Sequence, residues 1–389
     1  MDWRPMTHAQ PLRIAMMLES DGPGGAEMMI LRLSQQLRDR GHTVIPVGPA
    51  DGCGWLADLF RAEGFAPQVF RMRHAMDPKC VVGLVQLFRE HGIDAVHSHE
   101  FTMAVYGAAA TRVLGLPHVI TMHGGVNPCG TRRRRVALRW AMRSADRTVM
   151  VARATQRQFA SRLGIDEARL TVVPNGVPIR SGDADRVRDE FHIQPDDCVL
   201  LAVGNLERHK GHRVLLDALS RLSRNRERLK WKLIIAGGRG GDQQEALQEF
   251  IEEQDWEDCV HIVANRDDIP DLLALADIFV MPSLWEGLPM ALLEAMIAKK
   301  AIVASATAGI PEAIKHGKEG LLVTPGEIDA LAGALRDLIL DPVRRQTLGE
   351  AAGLRAEQEF TVNVMTDRYE SMYAHAAVAR QNGNGRRHE

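Results

Sequence analysis

The residues best placed to do chemistry lie in Pro282-Ser283-Leu284-Trp285-Glu286-Gly287-Leu288-Pro289-Met290-Ala291-Leu292-Leu293-Glu294-Ala295-Met296, where two glutamates stand eight positions apart. Glu286 falls on a loop leaving an apolar run. Glu294 falls about two turns into an otherwise apolar helix, where an unpaired carboxylate is costly to bury. Such a helix keeps its acid for a partner: a ribose diol, whose two hydroxyls can donate to one carboxylate, or a buried Lys or Arg. Pro289 fits the first helical position, which leaves the N–H groups of Met290 and Ala291 free to meet phosphate oxygens.

Two further segments suit an anion. Gly22-Pro23-Gly24-Gly25-Ala26-Glu27 is a glycine-rich turn entering a helix, readable as a phosphate cradle or as a tight turn that needs glycine. Gly204-Asn205-Leu206-Glu207-Arg208-His209-Lys210-Gly211-His212 follows another apolar run and also precedes a helix. Lys210 beside a helix N-terminus is electrostatically odd as a structural choice, yet suits a diphosphate leaving group that gains charge as its bond breaks. A solvated surface lysine is the plainer reading.

Three patterns have mainly structural readings. His97-x-His99 puts two histidines on one face of a strand, but only Glu100 lies near enough in sequence to extend a metal set, so no metal is expected. Asp183-Ala184-Asp185 spells D-x-D in a polar stretch and reads as solvated linker. Arg132, Arg133, Arg134 and Arg135 open a basic helix interleaved with apolar residues and Trp140, a pattern that suits either a solvated face or an anionic membrane surface.

The elements that must position these residues alternate short aliphatic runs with longer stretches of helical period, the signature of βαβ units and parallel sheets. In the first half the runs are 13–18, 43–47, 93–97, 118–121, 148–151 and 170–173; in the second they are 199–203, 232–236, 260–263, 277–281, 301–304 and 320–323. Met29, Leu33 and Leu37 mark the helix that stops at Gly41. A polar Pro/Gly-containing stretch through Asp185 separates the halves. The fold class is therefore α/β, with two tandem Rossmann-like, doubly wound domains whose ligands bind where loops leave the carboxyl ends of strands, facing a cleft. The expected division is an amino domain over 1–178, a second domain over 179–360, a helix over 361–380 returning toward the first, and a disordered polar tail over 381–389.

The chain has 389 residues, 48 Lys+Arg against 50 Asp+Glu and 45% hydrophobic residues, which fits ordinary globular domains and argues against a global polyanion or nucleic-acid binder. Its five cysteines are scattered without a C-x-x-C pair, as expected for reduced thiols in the cytoplasm. No apolar run reaches the ~20 residues of a membrane span, so a cytoplasmic protein, soluble or membrane-peripheral, is expected.

Taken in order, Gly24-Gly25-Ala26-Glu27, His97-Ser98-His99, Thr121-Met122-His123-Gly124, Pro174-Asn175-Gly176-Val177, residues 204–211, Ala236-Gly237-Gly238, the Glu286/Glu294 pair and Gly309-Ile310-Pro311-Glu312 resemble glycosyltransferase family 4, the retaining sugar-nucleotide-dependent enzymes of the GT-B fold. The resemblance covers nearly the whole chain. It implies transfer of a sugar from a nucleotide sugar, a UDP-sugar by family prevalence, to a hydroxyl of a glycan, lipid-linked glycan or other glycoconjugate. Neither cofactor nor metal is implied.

By position, Glu294 resembles the ribose-binding glutamate, Lys210 the diphosphate-binding lysine, and Glu286 the glutamate that holds donor-sugar hydroxyls. His123 resembles the histidine beside the donor sugar, and Gly24 and Gly25 the glycine loop over the phosphates. Leu288, Met290 and Ala291 fall at the donor-binding helix start, and Arg266 where the family contacts the base. Asn205 departs from the pattern, since many members carry an arginine there; Arg208 is the nearby candidate to compensate. That departure favours one rival, a catalytically idle sugar-nucleotide-binding subunit. Sugar-nucleotide hydrolysis or epimerisation on the same fold is the other.

Overall fold

The computed structural model describes residues 10–19, 24–50, 54–73, 77–124, 130–224, 229–238, 242–264 and 266–385. The chain separates into two compact units, Met1–Gly176 together with Val362–Glu389, and Val177–Thr361.

The first unit is built on a seven-stranded sheet of β1 (Arg13–Met17), β2 (Thr43–Pro49), β3 (Gln68–Phe70), β4 (Ala95–His99), β5 (His118–Met122), β6 (Arg147–Met150) and β7 (Leu170–Val172). Its order is β3-β2-β1-β4-β5-β6-β7, with every pair parallel. Helices cover both faces, so β4 and β5 are buried at every residue. One face packs Leu84, Phe88, Met103 and Tyr106 against Ala15, Met17 and Val96; the other packs Leu138, Met142, Phe159 and Leu163 against Ile120, Met122 and Met150.

The second unit repeats the plan with six parallel strands: β8 (Cys198–Val203), β9 (Trp231–Ala236), β10 (Val260–Val263), β11 (Ile278–Met281), β12 (Ala301–Ser305) and β13 (Leu321–Val323). The order is β10-β9-β8-β11-β12-β13. In both sheets the winding reverses beside the first strand, between β1 and β4 and between β8 and β11, and such switch points open crevices at the carboxyl strand ends.

Several expectations change. The edge strand β3 was not foreseen, because three residues are too few to show an alternation. The stretch read as a linker is packed inside the second unit: Asp183 N–H donates to Asp271 Oδ1 (2.9 Å), Arg186 pairs with Asp271 (3.1 Å), and a Cβ on Gly182 would overlap the Pro270 carbonyl. The chain passes between units at Gly176/Val177 and returns at Thr361/Val362, and Val177 N–H donates to Phe360 O (2.8 Å).

The final helix, Val362–Gly385, continues through part of the tail expected to be disordered; residues 386–389 lie outside the described ones. Each added residue gains a main-chain hydrogen bond without needing an apolar side chain. Within the first unit this helix is pinned by Glu370, which takes hydrogen bonds from Arg40 (2.8 Å) and His42 (3.2 Å), and by the buried Tyr369 and Tyr373.

Gly107, in the helix Glu100–Leu114, marks the closest helix-to-sheet approach. A Cβ there would overlap Ser98 Oγ and stand 2.9 Å from His118 Nε2. Gly107→Ala is expected to destabilise the protein by about 1–3 kcal/mol through overpacking, read as a lowered Tm.

Candidate active site

In the second unit the two chemically loaded loops leave adjacent strands, 204–211 from β8 and 282–289 from β11. They touch because of Gly211. Its φ of +73° ends the short turn Arg208–Lys210, and a Cβ there would overlap the Pro282 carbonyl. Leu284 N–H donates to His209 O (2.7 Å) across the junction. Buried His212 secures the loop from below, with Nε2 3.3 and 3.2 Å from the carbonyls of Gly204 and Asn205. Two carbonyls can only accept, so Nε2 carries the proton; burial lowers this imidazole to about 4 and keeps it neutral.

That scaffold brings together two residues singled out in sequence. Lys210 Nζ lies 2.8 Å from Glu286 Oε1, and the same oxygen accepts from Ser283 Oγ at 2.8 Å. Glu286 is buried and Lys210 partly buried. Gly309 N–H donates to Gly287 O (2.9 Å), fixing the far side of the Glu286 loop.

The helix that follows is Met290–Ile297, with Pro289 as its extended N-cap and not its first residue. Met290 and Ala291 are then the first two helical residues, whose N–H groups have no intrahelical acceptor. Leu288 is buried just ahead of the cap. Glu294 lies one turn into the helix, not two, and is half-buried. Asn205 and Arg208 are exposed; Arg208 is held through its main-chain N–H to Asp242 Oδ1 (3.1 Å).

Arg266, expected near the base, has its guanidinium held by neighbours within the second unit. Its guanidinium is bound to Glu190 and, through Nε, to Asp268 at 2.8 Å, and lies over the Phe191 ring; the Asp268 and Glu190 hydrogen bonds raise its pKa. It braces the segment before β8 against the start of the helix Ile269–Leu275. The D-x-D pair is likewise structural, with Asp183 Oδ1 accepting from Asp185 N–H (3.1 Å) in a local turn.

The first unit carries His123 just past β5, and the hydrogen bonds around it fix its tautomer. His99 Nε2 faces Met16 Sδ at 3.1 Å, and a thioether only accepts, so Nε2 bears the proton. Burial keeps His99 neutral, which leaves its Nδ1 to accept from His123 Nε2–H at 3.0 Å. Burial also lowers His123 to about 4. Its buried Nδ1 therefore has a bare lone pair, with no partner among the described residues.

His97 is occupied by Tyr373 OH (2.7 Å) and Thr121 Oγ1 (2.8 Å). Among the described residues no group of three or more His, Cys, Asp or Glu side chains could hold a metal.

In sequence Glu100 stands out only as a neighbour of His97-x-His99. It occupies the turn between β4 and the following helix with φ +62°, a strained conformation for a residue other than glycine. Its Oε1 accepts the His123 N–H (2.9 Å), and burial with nearby Glu27 raises its carboxyl to about 7. Glu27 itself, in the first turn of the helix Gly25–Asp39, folds back over Gly24, where a side chain would collide with it. Residues 20–23 of the glycine turn lie outside the described ones.

The comparisons agree with this architecture. Residues 23–181 match the model "Glycosyltransferase Family 4", and residues 183–355 match "Glycosyl transferases group 1". A D-inositol 3-phosphate glycosyltransferase of Paenarthrobacter aurescens is 30% identical over 293 residues, 70% of this chain and 71% of that protein. The chain belongs to glycosyltransferase family 4. A second relative of this glycosyltransferase, the Escherichia coli UDP-Gal:alpha-D-GlcNAc-diphosphoundecaprenol alpha-1,3-galactosyltransferase, is 26% identical over 72% of this chain and 75% of its own length. The Anabaena HepE crystal structure in complex with UDP superposes with a TM-score of 0.80 at 25% identity, covering 92% of this chain and 99% of that one. Two Rossmann-like units make this a GT-B glycosyltransferase.

Ser283, His212 and Glu100 were not assigned roles from sequence. Ser283 had a signal, a hydroxyl three positions before Glu286; His212 and Glu100 had none until the loops were in place.

The buried neutral histidines give a pH dependence with a definite sign. Groups whose folded pKa is depressed stabilise the fold above their unfolded value near 6.5 and lose that contribution as pH falls toward the folded one. For His212 the window runs from 6.5 down to about 4, on the order of 3 kcal/mol. Glu100, raised to about 7, acts oppositely, favouring the fold below the ordinary carboxylate range and losing that contribution as pH rises through 7. The histidines depressed by burial outnumber it, so Tm is expected to fall between pH 6.5 and 4. Thermal melts of His212→Asn, which cannot take up the proton, should show a shallower fall.

Proposed function

We propose that this glycosyltransferase takes a UDP-sugar as donor and transfers the sugar, with retention of configuration and without a metal, to a hydroxyl of a glycan or lipid-linked glycan. The observation that carries the reading is the seating of Lys210 against Glu286 at the switch point of the second sheet, where a sugar nucleotide is expected in a doubly wound fold. In this reading Lys210 and the Met290 and Ala291 N–H groups take the diphosphate, Glu294 the ribose and Glu286 the sugar hydroxyls. His123 offers its bare Nδ1 to a hydroxyl. The difficult step is departure of the diphosphate from an oxocarbenium-like carbon, and positive charge at Lys210 stabilises the leaving group as it gains charge. The leaving phosphate then accepts the proton of the incoming hydroxyl.

UDP is supported by the complexes of HepE with UDP and with UDP-glucose, and a polyprenyl-diphosphate acceptor by the E. coli relative, a UDP-Gal:alpha-D-GlcNAc-diphosphoundecaprenol galactosyltransferase. The deciding experiment is nucleoside-diphosphate release from UDP-, GDP- and ADP-sugars with and without membrane-lipid extract, in EDTA. Release that requires one donor and the extract is expected. Release without acceptor would indicate hydrolysis, conversion of the donor to an isomer without release would indicate epimerisation, and binding with neither an idle subunit. Lys210→Ala should lower turnover by ~100-fold or more.

The helix Arg132–Ser144 supports a membrane-borne acceptor. Its solvent face carries Arg132, Arg139 and Arg143 with exposed Val136 and Trp140 between them, while Leu138, Ala141 and Met142 are buried. Arg134 lies over Phe101, and none of the helix's arginines has an ion-pair partner among the described residues. No helix among the described residues is long and apolar enough to cross a membrane. In this reading the helix rests on an anionic bilayer. Co-sedimentation with phosphatidylglycerol vesicles, but not phosphatidylcholine vesicles, is expected, and Arg132→Glu with Arg139→Glu should abolish it.

A further inference from the structure

Lys210 and Glu286 are assigned to different parts of one donor, yet their side chains hold each other at 2.8 Å. We propose that Glu286 is a resident competitor for Lys210, and that the exchange of partners on binding favours an intact nucleotide sugar over the bare nucleoside diphosphate. This rests on the diphosphate role given to Lys210 above.

Neither residue has another charged partner among the described residues, and their exposures differ: the Glu286 side chain is 8% exposed and that of Lys210 22%. A diphosphate that draws Lys210 to itself therefore strips the countercharge from a nearly buried carboxylate, which is costly. Glu286 is poorly placed to relax toward water. Its Oε1 is tied to Ser283, which is 1% exposed, and its loop is fixed at Leu284 and Gly287. The Ser283 hydroxyl offsets only part of the loss, being neutral.

An intact donor brings its own remedy, since sugar hydroxyls can donate to the abandoned carboxylate. A bare nucleoside diphosphate takes the lysine and returns nothing. The pair thus penalises the product more than the substrate, and the penalty appears when the sugar has left. Discrimination arises from an unpaired group in the wrong complex as much as from contacts in the right one.

Calorimetry with UDP, GDP and ADP on the full-length protein tests the exchange. Glu286→Gln keeps the shape and removes the competing charge, so the diphosphate that binds best to wild type should bind about 3- to 10-fold tighter, the scale of losing a part-exposed ionic competitor, while turnover falls. In a Lys210→Gln background the same change should give no gain. Ser283→Ala removes the neutral donor and leaves the charge, so diphosphate affinity should move the other way. Unchanged or weaker binding in Glu286→Gln would overturn the exchange, as would an equal gain without Lys210. If wild type binds a diphosphate and the gain is missing, the exchange alone fails; if it binds none of the three, the donor reading fails with it.

Discussion

The approach of Gly211 to the Pro282 carbonyl is the constraint on which the second unit's chemistry depends. Strands β8 and β11 are sheet neighbours although some 80 residues separate them in sequence. Their outgoing loops must share one edge, and only a residue without a Cβ, at positive φ, lets them meet. The 2.8 Å ion pair, the Ser283 hydrogen bond and the His209–Leu284 main-chain bond all follow from that contact. His212 completes it from beneath, because a buried neutral imidazole donates toward the carbonyls of Gly204 and Asn205 that line the turn.

The first unit answers with a different electrostatic character. Strands β4 and β5 are buried on both faces, yet they carry His97, Ser98, His99, His118 and Thr121 in place of aliphatic residues. Each has a hydrogen-bonded partner, and the sulfur of Met16 at one end of the chain of contacts decides which histidine nitrogen at the other end is bare. The histidines at the ends of β4 and β5 are therefore uncharged, and His123 is left with one oriented acceptor.

The alternation of aliphatic runs and helical patterns made the two parallel sheets legible in the sequence, because most strands buried on both faces are largely apolar, β4 and β5 being the exceptions. The Glu286/Glu294 spacing and the glycine-flanked Lys210 were legible for a similar reason: charges in apolar or glycine-rich surroundings conflict with packing alone. What escaped were facts of pairing. Lys210 and Glu286 are 76 positions apart, and no local pattern says that they meet. Nor does anything in sequence show Glu190 arriving beside Arg266. The linker reading failed at Gly182, where small and polar residues serve close packing against Pro270 as well as they would serve looseness.

The discontinuity of the first unit bears on how the chain is made. Residues 177–361 form one unbroken stretch, so the second unit has all its parts as soon as that stretch has been synthesised. The first unit does not. Its buried His97 and Thr121 share hydrogen bonds with Tyr373 and Tyr369, which emerge from the ribosome after every residue of the second unit. Until then the middle of its sheet holds polar groups awaiting partners nearly 250 residues downstream. Of the two units, the one whose strands are made first is therefore the one whose parts are completed last, and the helix Val362–Gly385 supplies the last of them.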